Sequence, residues 1–408
     1  MRVGIRLPVL PESIGGGFHF EHEILRGLLT RLPNCSHQFV LLGDQATWSH
    51  EFPLPPNATY VNLHPTYPHV PLPLRAIRWV RRTKGRGALA RLRSWVRPPV
   101  AVPGSDELIR THGIQFLVHL GPWALDLDVP FLIFVWDLEH RCQPYFPELS
   151  ANGEWERRHR SYQSILPRAT MVVTGTQEGK NQIERFYGVS PARITILPHP
   201  TPGDALALGA RSPSAAPQSR APAEPVLLYP AQFWPHKNHV GLLKALRLLD
   251  DRHGLRPRLL LTGSDQGNRG HVERMARDLG VADQVSILGF VPRDHLLQLY
   301  TQVSALVYPS TFGPENLPPL EAFALRCPVV ASRIPGAEEQ LGDAAVFFDP
   351  LDPAALADAI RVVLVDSSLR AALIARGLAR ASRWTRAEVA DAILGALDRF
   401  ATVRELWP

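Results

Sequence analysis

Apolar residues along this chain come in short runs separated by longer stretches of mixed character. In the first half the runs are "RVGIRLP", "HQFVLLG", "QFLVHLG", "PFLIFVW", "MVVTG" and "ITILPH"; in the second they are "VLLYPA", "RLLLTG", "VSILGF", "SALVYPS" and "PVVASR". Runs of this length, rich in Val, Ile, Leu and Phe, read as strands buried on both faces. The stretches between them, such as "HVGLLKALRLLDD" and "HVERMARDLG", carry the spacing of amphipathic helices. Strand and helix alternate, so the pattern predicts α/β architecture with two doubly wound, Rossmann-like parallel sheets. Between the halves, "TPGDALALGARSPSAAPQSRAPAEP" is rich in Pro, Ala, Ser and Gly and reads as a linker over 201–225. The expected domains are thus 1–200 and 226–385. From Ala355 onward the pattern is helical, and a last helix within 386–408 is expected to pack back toward the first domain. No short repeat or heptad pattern interrupts this organisation.

Composition narrows the class. A chain of 408 residues, 45% hydrophobic and 20% charged, can bury two cores. Three widely spaced cysteines, Cys35, Cys142 and Cys327, suit a reducing, cytoplasmic compartment and no disulfide framework or structural zinc. The opening "MRVGIRLPVLPES" has no signal-peptide core, and the most apolar long window, Phe116 to Trp136, contains His119, Asp126 and Asp128, so no membrane span is expected.

Charge is concentrated in one place. Residues 75–97 hold nine cations, among them Arg75, Arg82, Lys84 and Arg97, and no acid, which leaves the rest of the chain mildly acidic. Leu89, Leu92 and Val96 fall at helical spacing there, with Trp79 and Trp95 among the arginines, as in an amphipathic helix at an anionic membrane surface. A solvated basic loop is the plainer alternative. No nucleic-acid partner is expected, because the patch is local and carries no recognised nucleic-acid motif.

Candidate chemistry gathers where strands end. Gly15, Gly16 and Gly17 follow the first strand and precede a helix, where backbone and helix terminus could accept a phosphate; an ordinary turn would look the same. Lys237, in "YPAQFWPHKNH", follows a strand in the second half and could meet a phosphate as a point charge. Asp137 and His140 follow "PFLIFVW", where a histidine could orient a sugar or an acceptor. His19 is similarly placed; His199 reads as structural. No spacing fits a metal site or a G-x-S-x-G elbow.

The order of "PAQFWPHKNH", "LLLTGSD", "VSILGFVP", "LVYPSTFGPENLPPLEAFALRCPVVASRIPGAEE" and "GDAAVFFDPLDPAALADAI" resembles the retaining nucleotide-sugar glycosyltransferases of glycosyltransferase family 4, which have the GT-B architecture. The resemblance implies metal-independent transfer of a sugar with retention from a nucleotide diphosphate sugar, with no cofactor beyond that donor. It further implies that Glu321 is the second glutamate of E-x7-E and binds the ribose. Amides of Glu315, Asn316 and Leu317 would face the donor, Lys237 would compensate its diphosphate, Gly16 and Gly17 would close over it, and Gly289, Phe290 and Val291 would read the base. Three positions depart from the family: Gly313 stands where the first glutamate belongs, Gln232 where an arginine precedes the lysine, and Trp136–Asp137 where a His–Asp pair is frequent. Glu315, two places from Gly313, either replaces the sugar contact or faces solvent. A glycosidase-type pair is not indicated, since Glu315 and Glu321 share one short segment instead of flanking a sugar.

The expected function is a hexosyltransferase of cell-envelope polysaccharide synthesis acting on a glycan or lipid-linked glycan acceptor, peripheral at the inner face of the cytoplasmic membrane. On resemblance alone, mannose from GDP-mannose is the preferred donor. A sugar-nucleotide epimerase and a non-catalytic nucleotide-sugar-binding protein are the alternatives.

Overall fold

The computed structural model describes residues 1–8, 15–43, 53–63, 105–125, 128–211 and 224–407. The basic segment 75–97 lies outside them. Among the described residues there are two parallel sheets. The first contains β1 (Arg2–Arg6), β2 (Gln38–Gly43), β3 (Ala58–Asn62), β4 (Phe116–His119), β5 (Phe131–Phe134), β6 (Met171–Thr174) and β7 (Ile194–Ile196), in the order β3-β2-β1-β4-β5-β6-β7. The second contains β8 (Val226–Pro230), β9 (Arg258–Thr262), β10 (Val285–Gly289), β11 (Ala305–Tyr308), β12 (Val329–Ser332) and β13 (Ala345–Phe348), in the order β10-β9-β8-β11-β12-β13.

Every apolar run quoted above became a strand. Central strands such as β4, β5, β11 and β12 are buried throughout, as two covered faces require. The strands that hydropathy did not announce, β3 and β13, are edges: "ATYVN" and "AVFF" are partly exposed and carry little pattern.

The helices, in chain order, are α1 (Gly16–Arg31), α2 (Ser105–His112), α3 (Glu139–Cys142), α4 (Pro147–Ser150), α5 (Glu154–Ile165), α6 (Gln177–Tyr187), α7 (Gly203–Arg211), α8 (His239–His253), α9 (Arg269–Asp278), α10 (Arg293–Gln302), α11 (Leu317–Ala324), α12 (Ala337–Leu341), α13 (Pro353–Val365), α14 (Ser367–Ala381) and α15 (Arg386–Arg404). Part of the stretch read as a linker is therefore helical. α7 packs on α11 so closely that a Cβ on Gly209 would meet the Ala324 carbonyl oxygen at 2.1 Å. Small residues that suggested flexibility instead permit that approach; residues 212–223 lie outside the described part.

α15 begins at a capping box formed by Thr385 and Glu388 and buries Val389, Ala390, Ile393 and Leu397 in the core of the first sheet, together with Phe20, Ile24 and Leu28 of α1. The last helix thus straps the second sheet's domain to the first. Among the described residues no helix is long and apolar enough to cross a membrane.

In each sheet the order reverses once, between β1 and β4 and between β8 and β11. At such switch points the loops leaving the two strands diverge and open a crevice at the carboxyl ends. The glycines before α1 leave β1; the Lys237 loop leaves β8; residues 309–316 leave β11. The topology therefore brings the motif-bearing loops to the crevice.

Candidate active site

On the second sheet's side the loop after β8 ends at Asn238, whose left-handed backbone (φ 53°) is a conformation asparagine tolerates. Asn238 caps α8 by accepting from the Gly241 amide at 3.1 Å and donates to the Pro350 carbonyl at 2.8 Å. Those bonds fix the preceding residue. The Lys237 ammonium lies 3.2 Å from the Tyr308 hydroxyl, 3.5 Å from the Ser310 hydroxyl and 5.4 Å from the centre of the Tyr308 ring. Among the described residues no carboxylate pairs with it. Burial first, and then the Lys237 charge, hold both neighbouring imidazoles well below their usual range: His236 to about 4 and His239 to about 3.

Tyr308 passes the network on, donating to the Asn316 side chain at 2.8 Å, which in turn donates to the Gly313 carbonyl at 2.8 Å. The Asn316 backbone amide, expected to face the donor, instead donates to Gln340 at 2.9 Å, and Gln340 returns a bond to the Asn316 carbonyl at 3.1 Å. That correction removes one amide from the anion site, because a buried N–H takes the nearest fixed acceptor. Leu317 packs into the core that includes α1 and α15. Gln232 lies near the same loop but is engaged with Ser264 at 3.0 Å and Trp234 at 2.9 Å. Gly289 has a positive φ and open space where a Cβ would stand, and Phe290 beside it is 52% exposed, whereas Val291 is half-buried.

Glu321 is not an open carboxylate. Its side chain is 3% exposed; Arg293 of α10 pairs with one oxygen at 2.5 Å and the Tyr300 hydroxyl donates to the other at 2.8 Å. Arg293 also makes two bonds of 2.8 Å to Asp204 of α7. A carboxylate has about four lone-pair sites, so Glu321 retains acceptor capacity, but within a built ion cluster. Sequence reading placed it at the ribose without seeing Arg293.

Of the two expectations for Glu315, solvent exposure is overturned. Its side chain crosses to the first domain, accepting the His199 amide at 2.8 Å, with its other oxygen 3.5 Å from His199 Nε2. A Cβ on Gly175 would sit 1.1 Å from that oxygen. Burial drives the Glu315 carboxyl up to about 8 and His199 down to about 3, so both are neutral at pH 7 and the contact is no ion pair. A cavity of about 120 Å³ adjoins them, bordered by Thr201, Gln340 and Trp384. His199, read as structural, thus belongs to the interdomain contact.

From the first domain, the segment after β5 reaches across. Asp137 accepts the Glu139 amide at 3.1 Å and lies 3.4 Å from Arg158. His140 is a second correction: it is fully buried, 3.0 Å from the Tyr187 hydroxyl and stacked on Tyr162, so it braces the first domain instead of facing a ligand. Its neighbours do the reaching. Gln143 donates to the Thr311 carbonyl at 3.0 Å, and Glu148 accepts from the His236 amide at 3.0 Å and its Nδ1 at 2.5 Å. Burial raises the Glu148 carboxyl, but the His236 ring and amide bonds outweigh it and leave the pKa lowered. His236 stacks on Phe312 at 3.8 Å. Glu139, Gln143, Glu148, Tyr308 and Gln340 were not named as site residues: Tyr308 lies early in the motif "LVYPSTFGPENLPP" but reads as the end of a strand, and the signal in "WDLEH" pointed to Asp137 and His140, the neighbours of Glu139. Gly16 lies exposed at the start of α1, with open space on the side where a Cβ would project, and Gly17 is half-buried beside it. No group of three or more potential metal ligands occurs among the described residues.

Two facing doubly wound domains with the crevice between them define a GT-B fold. Residues 213–380, most of the second domain, match the family described as "Glycosyl transferases group 1". It is 31% identical over 243 residues to D-inositol 3-phosphate glycosyltransferase of Acidothermus cellulolyticus, covering 57% of this chain and 53% of that protein. It is 30% identical over 254 residues to O-antigen chain mannosyltransferase B of Escherichia coli, covering 59% and 63%. The chain thus spans somewhat more than half the length of these relatives. Among solved structures, sucrose-phosphate synthase from Thermosynechococcus elongatus superposes with a TM-score of 0.69 at 16% identity, covering 99% of both chains. HepE of Anabaena in complex with UDP-glucose gives 0.65 at 16% identity, covering 98% of this chain and 100% of that one.

Proposed function

We propose that the protein is a retaining hexosyltransferase that moves a sugar from a nucleotide diphosphate sugar to a glycan or lipid-linked glycan acceptor. The observation that carries this reading is Lys237: an ammonium held at the β8/β11 switch point with hydroxyl partners and, among the described residues, no carboxylate. A fixed cation without a counter-ion is poised for an anionic ligand, and a diphosphate whose charge grows as it leaves gains most from it. In the proposed step the bond from the sugar's anomeric carbon to the diphosphate oxygen breaks, and an acceptor hydroxyl bonds to that carbon from the same face. The hydroxyl's proton passes to the departing phosphate oxygen. Charge compensation falls to Lys237, and positioning to the closed crevice.

The O-antigen mannosyltransferase among the relatives supports a cell-envelope glycan as product and mannose from GDP-mannose as donor. Residues 75–97 would hold the enzyme at the inner face of an anionic membrane.

Calorimetric titration with UDP, GDP and ADP tests the reading. One nucleotide should bind the wild type, and Lys237→Ala should weaken it by at least tenfold, about 1.4 kcal/mol. A folded protein that binds none of the three would overturn the proposal. Turnover of the matching nucleotide sugar without an acceptor would identify an epimerase, and binding without turnover on any acceptor a sensor.

A further inference from the structure

Glu139 is a buried carboxyl that the proposed transfer step does not use. It stands at the start of α3, 6% exposed, on the crevice side of the Asp137 loop. Gln143 and the backbone amide of Gly313, on the opposite domain, hydrogen-bond the carboxyl group, yet its Oε2 is buried with no partner among the described residues. Leaving such an oxygen unpaired costs about 1–3 kcal/mol, so the carboxyl has capacity for a partner that the described residues do not supply.

The surroundings say which group. Asp137 and Glu178 add negative charge, and burial, the largest influence, drives the Glu139 carboxyl up to about 8. An anion is therefore disfavoured. A neutral carboxyl both donates and accepts, which suits a hydroxyl. Location narrows it further: residues 310–313 join Gly313 to Ser310, which touches Lys237, and Gln143 grips Thr311 of the same turn. Gly313 itself carries no side chain, and the carboxyl that meets its backbone amide comes from the other domain.

We propose that Glu139 is a positioning residue that binds a hydroxyl of the donor's hexosyl group across the domain interface. The inference rests on the transferase reading and adds to it a contact that distinguishes a nucleotide sugar from its nucleotide.

The test compares UDP-glucose with UDP, GDP-mannose with GDP and ADP-glucose with ADP, by calorimetry, on wild type, Glu139→Ala and Glu139→Gln. For the pair that binds, the ratio of nucleotide-sugar to nucleotide affinity should fall at least fivefold in Glu139→Ala and stay within twofold in Glu139→Gln, which keeps a neutral donor and acceptor. Affinity for the free nucleotide should stay within twofold in both. If Glu139→Ala does not fold, Glu139→Asp, which withdraws the carboxyl by one methylene, should show the same loss. An unchanged ratio, or equal loss for sugar and nucleotide, overturns this inference and leaves the transferase intact. A wild type that binds none of the three pairs removes the transferase reading itself and this inference with it.

Discussion

Three of the glutamates at the crevice sit in two environments, and the contrast between them explains how it is held. On the α10–α11 side Glu321 lies between a guanidinium and a hydroxyl, and Arg293 also holds Asp204; attraction to both carboxylates, against the cost of burial, leaves the arginine pKa raised. At the domain contact Glu139 and Glu315 have amides and neutral side chains for partners, no Lys or Arg among the described residues pairs with either, and burial drives each carboxyl up to about 8. The same residue type is thus built into an ion cluster in one place and kept neutral in the other. What differs is whether a cation is buried with it.

Three changes would break or sharpen this contrast. The largest effect should come from Arg293→Met, which leaves Glu321 and Asp204 without their cation. Breaking a buried pair from one side costs about 3–5 kcal/mol, read as a drop in denaturant midpoint, and the double variant with Glu321→Gln should recover part of it. A loss below about 1 kcal/mol, the size of an exposed pair, would mean that Tyr300 and solvent suffice for Glu321.

Next is Gly175→Ala. Its methyl group would overlap the Glu315 carboxyl, so the two domains must part locally, at about 1–3 kcal/mol. Small-angle scattering should show an expanded particle; an unchanged profile together with unchanged stability would remove Glu315 from the interdomain contact.

The smallest is a pH effect. A carboxyl whose pKa rises from 4.5 unfolded to about 8 folded stabilises most below pH 4.5, and that stability is lost as pH climbs toward 8. Buried histidines such as His199, with lowered pKa, act in the opposite sense below about pH 6.5. The difference in Tm between wild type and Glu315→Gln isolates the carboxyl: it should move against the wild type from pH 5 to pH 8 and level off above. A flat difference would mean that Glu315 is ionised in the folded protein.

The fold was largely legible because parallel strands covered on both faces announce themselves as apolar runs, and only the edge strands β3 and β13 escaped. Lys237 was legible too, since a lysine between a strand and a helix needs no long-range partner to be placed at a crevice. The glutamates were harder. Glu315 and Glu321 were found by motif, but their partners, His199 and Arg293, stand 116 and 28 residues away. Glu139 was missed altogether beside two residues that were named, because one step along a short helix exchanges a buried brace, His140, for a side chain that meets the other domain.

By itself, then, the sequence determined the alternation of strand and helix, the two-sheet architecture and the family that the second domain resembles, since local hydropathy and contiguous motifs encode these. Which carboxyls are neutral, which are paired with arginine, and which cross the crevice was decided only by the tertiary structure. Burial and charge act through distances between segments far apart in the chain, and no local pattern records those distances.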